Sequence, residues 1–291
     1  MTDLICRMAE EKFGIKTDPD DAKRLGEYIQ INNNTNCVNT DCVRVNCAST
    51  DYTHSEVSDT SFLETSFSSG VAAKFLTVNE TYFFREPVHF SLLLELLPSF
   101  EKTGIRICSA ATAAGCEAYS IAMLIEAYNK GAQRPVVYNI DAFDINAKAI
   151  ETARKGIYSA RSIREDGDCF KYMTIPYIKG QEDKYHVSDS IKKNINFFVH
   201  NLMDELYVEK YDIIFFRNAF IYFLPHKRER LLSNLSHILK EGGILILGVS
   251  ETSGVQHADL VQKNRQLRSR WQIPSSFDDV FYFCKSAKQP V

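Results

Sequence analysis

The sequence predicts an α/β protein built around a doubly wound, mainly parallel sheet. After Thr77, short apolar runs alternate with stretches whose apolar residues have helical spacing. The short runs are mainly apolar, which is typical of strands buried on both faces of a sheet. The composition, with 45% hydrophobic and 24% charged residues, is that of an ordinary globular protein and excludes a wholly disordered chain.

Residues 1–76 differ from the rest and are predicted to form a helical and polar segment. Up to Val78 the chain holds seven Lys and Arg against twelve Asp and Glu, whereas the remainder is nearly balanced. Helical spacing predicts two short helices, Asp3–Phe13 and Asp20–Ile31, and Asp18-Pro19 supplies an N-cap and an early proline for the second. The polar run from Asn32 to Ser69 predicts a weakly ordered linker.

Residues 77–291 are predicted to form the sheet domain. Buried strands are expected at Ile105–Ser109, Val136–Phe143, Asn196–Val199, Tyr211–Phe216 and Ile244–Val249. Helices are expected at Glu117–Lys130, Asn146–Lys155 and Lys227–Leu239, the last ended by Glu241-Gly242-Gly243. The aromatic run Asp278–Cys284 has no helix after it, so we expect it to enter the sheet antiparallel.

Charge, hydropathy and cysteine usage exclude several classes of protein. The net charge of -3 and the pI of about 6.2 argue against a dedicated nucleic-acid binder. No apolar run approaches the roughly 18 residues of a membrane span and no secretory signal opens the chain, so a cytoplasmic protein without membrane insertion is expected. Eight cysteines are too sparse for a disulfide scaffold, and the spacing of Cys37, Cys42 and Cys47 matches no common zinc site, so no metal is predicted.

Candidate site residues follow the predicted strands, because ligands of doubly wound sheets bind at the carboxyl ends of the strands. The small residues of Ala110–Gly115 either let a ligand approach the backbone or form a tight turn packed on a neighbouring helix. Asp144 follows the second strand and can accept hydrogen bonds from ribose hydroxyls, or it can cap the next helix. The pair Arg217-Asn218 follows the Tyr211 strand, and packing explains a charged pair there poorly.

These stretches resemble the CheR family of chemotaxis receptor methyltransferases, which use S-adenosylmethionine to esterify glutamate side chains. The resemblance covers about Thr77 to Lys285. The family's opening signature N-x-T-x-F-F-R-E stands here as Asn79 to Glu86. The other matching motifs, in the family's order, are Gly115-Cys116-Glu117-Ala118-Tyr119-Ser120, Asp144-Ile145-Asn146, Asn201-Leu202, Arg217-Asn218, Ile221-Tyr222-Phe223 and Ser250-Glu251.

The resemblance implies a class I methyltransferase-like sheet, S-adenosyl-L-methionine as cofactor and S-adenosyl-L-homocysteine as product. It implies two catalytic residues, Arg85 for orienting a carboxylate and Tyr222 beside the transferred methyl group. No general base is needed, since a glutamate with a pKa of about 4.3 is already an anion at neutral pH. The cofactor contacts implied by position are Asn79, Thr81, Arg85, Glu117, Asp144, Asn201, Leu202, Arg217 and Asn218.

The expected partners are the cytoplasmic helices of chemotaxis receptors, with no nucleic acid. Here the chain departs from the family, because the N-terminal segment is net acidic where the family carries a basic docking helix, and Cys116 replaces a family acid. The stretch Phe170–Val187 corresponds to the small β-subdomain, at about residues 170–190, that some members insert. It either captures a receptor C-terminal peptide as an added strand or forms a simple cover over the site.

Three other functions are compatible with these residues. The cofactor site can serve a different protein or small-molecule acceptor, because the substrate-docking region is the part that diverges. It can also belong to a non-catalytic regulatory protein that binds S-adenosylmethionine. A nicotinamide-dependent dehydrogenase is the weaker alternative, since the loop after the first strand lacks GxGxxG.

Overall fold

The computed structural model describes residues 1–34, 63–64, 66–67, 71–76, 81–164, 178–181, 184–206, 210–267 and 279–286. The chain divides into two compact units, residues 1–77 and 78–291. The boundary between the two units lies within one residue of the predicted end of the N-terminal segment. It stays a prediction that residues 77–291 act as a separate domain.

The described residues of the first unit include the helices α1 (Thr2–Phe13), α2 (Pro19–Asn34) and α3 (Val71–Leu76). Helix α1 ends where Gly14 adopts a left-handed conformation with φ of 71°. Helix α2 begins at Pro19, and the Asp18 carboxylate accepts a hydrogen bond from the Asp20 N–H at 2.8 Å. Both helices predicted from apolar spacing are therefore confirmed, with ends shifted by at most three residues.

The structure describes only a few residues of the predicted linker, Asn32 to Ser69. Residues 32–34 continue α2, and residues 63–64 and 66–67 are helical, so the prediction of a weakly ordered run is wrong for these positions. Phe67 packs beside Phe13 of α1 with ring centroids 5.2 Å apart, and this aromatic contact helps to order residues 66–67. The remaining linker residues, with Cys37, Cys42 and Cys47, lie outside the described residues.

The second unit contains a seven-stranded sheet and five helices within its described residues. The strands of this sheet are β1 (Ile105–Ala110), β2 (Tyr138–Asp144), β6 (Ile195–Val199), β7 (Tyr211–Phe216), β8 (Leu239–Leu247), β9 (Leu260–Gln266) and β10 (Asp279–Lys285). The helices are α4 (Pro87–Leu96), α5 (Cys116–Gly131), α6 (Ala147–Lys155), α7 (Asp189–Lys192) and α8 (Pro225–Ile238). A second, small sheet holds β3 (Ile157–Ser159), β4 (Ile178–Gln181) and β5 (Lys184–Val187).

The strand order of the large sheet is β6-β2-β1-β7-β8-β10-β9. The first five strands in this order are parallel, and β10 pairs antiparallel with both β8 and β9. This arrangement confirms the predicted fold class and the antiparallel entry of the late aromatic strand. The chain proceeds outward from β1 in one direction and from β7 in the other, so the crevice between their carboxyl ends is where such a fold binds ligands.

One predicted boundary is wrong. Helix α8 ends at Ile238, and Glu241-Gly242-Gly243 do not terminate it but lie inside β8. Tyr211 pairs with Leu239 while Ile213 pairs with Ile244, so residues 240–243 bulge out of the ladder. Gly242, with φ of 71°, supplies the backbone conformation that the bulge requires.

The small sheet has the order β3-β5-β4 and is antiparallel throughout. It includes the described part of the predicted β-subdomain, whose residues 170–177 and 182–183 lie outside the described residues. Strand β4 is the outer strand of this sheet on one side. Capture of a receptor peptide there stays a prediction.

The described part of the chain contains neither a candidate membrane span nor a candidate metal cluster. None of the described helices is both long and apolar enough to span a bilayer. No cluster of three or more His, Cys, Asp or Glu side chains suited to a metal ion occurs among the same residues.

Candidate active site

The carboxyl edge of the sheet, where β1, β2, β6, β7 and β8 end, collects the predicted site residues. Asp144 ends β2, and Arg217-Asn218 directly follow β7. Asn201-Leu202 follow β6, and Glu117 lies in the first turn of α5, which begins just after β1. The structure therefore brings these residues to one edge of the sheet.

Backbone strain is concentrated at this edge. Among the described residues, those other than glycine with positive φ are Phe84, Glu86, Ala111, Ala113 and Asn218, with φ between 50° and 56°. A left-handed conformation costs a non-glycine residue about 1 kcal/mol or more. All five lie in the segment before α4 or in the loops after β1 and β7, so the surrounding contacts hold a geometry that the backbone alone would not adopt.

The loop after β1 is tied to β2 and packs against α6 and β6. The Ala113 N–H donates to Asp144 Oδ2 at 2.8 Å, and the Thr112 N–H donates to the Phe143 carbonyl at 3.0 Å. A Cβ on Gly115, whose φ is 86°, would lie 2.7 Å from the Ala153 side chain. The glycine is therefore explained by close packing of the turn, one of the two interpretations of this loop.

Asp144 is buried but keeps acceptor capacity. Its Oδ1 accepts from the Asn146 N–H at 2.9 Å in addition to the bond from Ala113. Burial raises the pKa of this carboxyl, and hydrogen bonds from the N–H groups of Asn146, Ala113 and Ile145 oppose the rise. A carboxylate has about four acceptor positions, so Asp144 can hold the loop with three of them and still accept a hydrogen bond from a ligand's hydroxyl group.

A buried ion network joins the segment before α4 to β1 and β7. Arg217, with a side chain 2% exposed, donates from Nη1 to Glu117 Oε2 at 3.1 Å and from Nη2 to Glu86 Oε2 at 3.3 Å. Arg217 Nη2 also donates to the Arg85 carbonyl, and Ser109 Oγ donates to Glu117 Oε1 at 2.7 Å. Burial raises the pKa of Glu117, while Arg217 and Ser109 favour its charged form.

Glu86 and Glu251 organise the loops after β7 and β8. Glu86 accepts from Asn218 Nδ2 at 2.7 Å and from the Val249 N–H at 3.1 Å. Glu251, 3% exposed, accepts from the N–H groups of Asn218 and Gly248 at 2.6 and 2.8 Å. Because both carboxylates bridge separate loops, they fix the positions of Arg217 and Asn218.

Arg85 and Thr81 occupy the segment that leads into α4. The guanidinium carbon of Arg85 lies 5.6 Å from the centroid of the Tyr82 ring, and that of Arg164 lies 4.4 Å from the same ring. Thr81 bonds the Cys116 thiol, whose pKa burial raises to about 12. Cys116 is therefore a neutral packing residue at the position of a family acid.

The remaining site residues have different surroundings. Tyr222 is 36% exposed at the end of the short 3₁₀ helix after β7. Asn201 caps its own turn by accepting from the Met203 N–H at 3.0 Å, and Leu202 is buried. Asn79 lies outside the described residues.

Glu86, Glu251 and Ser109 were not expected among the site residues, although Glu86 and Glu251 stand in the motifs that carried the resemblance.

A family model described as "CheR methyltransferase, SAM binding domain" matches residues 79–269, about two thirds of the chain. The chain belongs to the CheR family. The match spans every loop of the carboxyl edge described above, so the CheR assignment and the geometry concern the same part of the molecule.

Curated CheR relatives support this assignment. The chain is 37% identical over 188 residues to a chemotaxis protein methyltransferase of Borreliella burgdorferi, covering 61% of this chain and 65% of that one. It is 37% identical over 183 residues to the chemotaxis protein methyltransferase of Vibrio parahaemolyticus, covering 61% and 66%. The chain thus spans just under two thirds of the length of these relatives.

Among solved structures, the magnesium protoporphyrin IX methyltransferase of Synechocystis PCC 6803 with bound SAM resembles the chain at a TM-score of 0.37 and 12% identity. That match covers 69% of this chain and 79% of the other. The CheR assignment does not depend on this likeness.

The CheR domain is a SAM-binding domain, and the residues at the carboxyl edge fit S-adenosylmethionine. The cofactor carries a ribose diol, a carboxylate and an ammonium group. Asp144 retains an acceptor position for a hydroxyl of the diol, and Glu117 is an anion suited to the ammonium group. Arg217 Nε is buried and has no hydrogen-bond partner among the described residues, so it offers a donor for the carboxylate.

Replacing Asp144 with alanine is expected to abolish most cofactor binding. In the wild-type protein, SAM at a hundredfold excess over its dissociation constant should raise the free energy of unfolding by about 2.7 kcal/mol. The variant should lose most of this increase, because no carboxylate remains for the ribose. Calorimetry measures the SAM affinity, and denaturation with and without SAM measures the increase in the free energy of unfolding. Each variant is compared with itself without SAM, because the alanine also leaves the N–H groups of Ala113 and Asn146 unpaired and so lowers stability directly.

The matched control for this substitution is Asp189→Ala, whose side chain is 99% exposed at the start of α7. We expect SAM to bind it as it binds the wild type. Unchanged SAM affinity in the Asp144 variant would remove that residue from the cofactor site.

Proposed function

We propose that the protein transfers the methyl group of S-adenosylmethionine to glutamate carboxylates of chemotaxis receptors, forming methyl esters and S-adenosylhomocysteine. The observation that carries this proposal is the placement of Arg85. Its backbone is held by the buried Arg217, and its guanidinium stands beside Tyr82 at the edge that fits the cofactor. A planar guanidinium binds a carboxylate through two parallel hydrogen bonds, which suits a carboxylate acceptor.

Bound SAM supplies an electrophilic methyl group on a positively charged sulfur. The protein's contribution is alignment and electrostatics, because the glutamate oxygen must lie in line with the methyl carbon and the sulfur. Arg85 orients the incoming carboxylate, and the Tyr222 ring and hydroxyl border the transferred methyl. An O–C bond forms as the S–C bond breaks, and the negative and positive charges cancel without any proton transfer.

The proposed partners follow from this acceptor. We propose that the methylated glutamates belong to cytoplasmic helices of receptors and that the protein acts in the cytoplasm. We further propose that a receptor C-terminal peptide adds as a strand to the small sheet. Strand β4 is an edge strand in the order β3-β5-β4, and this supports strand addition, since a peptide can pair only with an edge strand of a sheet.

The pH profile of methyl transfer should be flat from about pH 6 to 8. A carboxylate nucleophile of pKa about 4.3 is fully ionised across this window. At more acidic pH the rate should fall. Burial raises the pKa of Asp144 and Glu117, so these cofactor-binding carboxylates become protonated at a higher pH than exposed ones. Labelled SAM and receptor membranes provide the assay, with glutamine-form receptors as the control that accepts no methyl.

A different acceptor is the second candidate function. The net acidic N-terminal segment favours it, because the family's basic docking helix is not evident there. A rate that climbs steeply between pH 6 and 8 would support a hydroxyl, thiol or amine acceptor that must lose a proton, and would contradict the glutamate proposal.

A further inference from the structure

An apolar rim, formed by Ile221, Tyr222 and Val249, stands open to solvent beside the candidate active site. Their exposed fractions are 53%, 36% and 41%. Ile221 and Tyr222 follow β7, and Val249 follows the neighbouring strand β8, so the three belong to adjacent loops at the carboxyl edge. Exposed apolar side chains grouped at a functional edge are typical of a surface that contacts another molecule.

The apolar rim is held in place by buried groups. The Ile221 N–H donates to Glu251 Oε1 at 3.1 Å, and the Val249 N–H donates to Glu86 Oε2 at 3.1 Å. A Cβ on Gly248 would lie 2.9 Å from Asn218 Nδ2, which shows how closely the loop after β8 approaches the loop after β7. The rim is therefore preformed, and a partner would not have to order it on binding.

The first turns of α8 add positive charge next to the apolar rim. Helix α8 carries Lys227, Arg228 and Arg230 against a single acid, Glu229. Arg228 folds back, with Nε donating to the Phe223 carbonyl at 3.0 Å and its guanidinium 4.8 Å from the Phe220 ring. Arg228 thus braces the 3₁₀ helix that carries Tyr222.

Lys227 and Arg230 are three residues apart, on one side of α8. Neither forms an ion pair with any residue in the part of the chain that the structure describes. The exposed acids Asp204 and Glu205 belong to the loop that contacts α8 at Asn234, about one turn beyond Arg230. The positive charge therefore lies at the rim end of the helix.

We propose that the apolar rim and the start of α8 form the docking surface for an acidic helical face of the acceptor protein. The inference rests on the proposed function and assigns the docking role to the sheet domain rather than to the acidic residues 1–78. Lys227 and Arg230 attract the carboxylates that surround the target glutamate, and Ile221 and Val249 contact the apolar side chains between them. Such charge complementarity raises the association rate and fixes the register of the bound helix.

The double variant Lys227→Glu, Arg230→Glu tests this surface. The probe is a designed helical hairpin with glutamates along one exposed face, and a second hairpin carries glutamines instead. We expect the dissociation constant for the glutamate hairpin, measured by fluorescence anisotropy, to rise about tenfold or more at low salt and less at high salt. The KM for this hairpin should rise in parallel, while kcat and the SAM affinity stay near their wild-type values.

The charge-matched control is Lys102→Glu, Lys193→Glu. Both lysines are exposed just before β1 and β6, at the opposite edge of the sheet, so this variant should bind the hairpin like the wild type. Ile221→Ser, which carries no charge change, should weaken binding of the hairpin at low and high salt alike.

The outcomes separate this inference from the proposed function. Equal affinity of the two double variants for the glutamate hairpin, or no preference of the wild type for glutamates over glutamines, overturns the docking surface. Charge-dependent binding that Lys227→Glu, Arg230→Glu abolishes supports the surface even if no methyl is transferred, and in that case the proposed function fails alone. Methyl transfer with an unchanged KM in this variant leaves the function standing and overturns the surface.

Discussion

Replacing Arg217 with methionine is expected to lower the free energy of unfolding by about 3 kcal/mol. Arg217 pairs with Glu117 and Glu86, whose side chains are 14% and 20% exposed. Removing one partner of a buried ion pair costs about 3–5 kcal/mol because the remaining charge is left uncompensated. We expect the lower end of this range, since water can reach both carboxylates. Urea denaturation of the protein without cofactor measures the change.

Arg228→Met is the matched control for this prediction. The guanidinium of Arg217 lies 5.4 Å from the Phe90 ring, and that of Arg228 lies near the Phe220 ring. The hydrogen bond of Arg228 is to a carbonyl, however, and it pairs with no carboxylate among the described residues. Its loss should cost about 1 kcal/mol. Equal stability of the two variants would contradict the interpretation of Arg217 as the centre of the network. Arg217→Lys should recover part of the loss, because it keeps the charge without the planar fork.

Replacing Arg85 with lysine is expected to slow methyl transfer by roughly ten- to a hundredfold, or about 1.4 to 2.8 kcal/mol of lost transition-state stabilisation. Lysine keeps the charge but cannot make two parallel hydrogen bonds to a carboxylate. The contact between Arg217 and residue 85 uses the backbone carbonyl, so the substitution should leave the fold intact. Steady-state kinetics with labelled SAM gives the ratio of kcat/KM values.

Arg164→Lys is the control, because its guanidinium lies closer to the same Tyr82 ring than that of Arg85 does. If stacking on Tyr82 were all that mattered, the two substitutions would have similar effects. We expect Arg164→Lys to retain most of the rate. An unchanged rate in Arg85→Lys would show that Arg85 does not orient the acceptor.

The sheet could be predicted from the sequence where its strands are buried, and not where they are exposed. Strands such as β1 and β7 are mainly apolar and buried, and both were expected within one residue of their ends. Strand β9 was not expected, because its sequence LVQKNRQ is polar and mostly exposed. It is held instead by pairing with β10 and by the ion pair between Arg265 and Glu95 at 3.1 Å. Such tertiary contacts leave no periodic pattern in a single sequence.

The candidate site likewise contains residues that could be predicted from the sequence and contacts that could not. Residues that follow buried strands, such as Asp144 and Arg217, could be singled out because a polar group there needs an explanation. That Glu86 meets Arg217 across 131 positions of the chain could not be read from spacing. For Asp144, the structure shows that the carboxylate holds the turn into α6 and the loop after β1, a structural role that leaves room for the expected binding role.

The chemical identity of the product tests the central claim most directly. The wild-type protein is incubated with methyl-labelled SAM and receptor fragments in the glutamate form, and the labelled peptides are then treated with mild base and analysed by mass spectrometry. We predict that the label lies on glutamate side chains and is released by base as methanol, as expected of a carboxyl methyl ester. Label that withstands base on lysine, cysteine or serine, or no label from protein that binds SAM, would contradict the account.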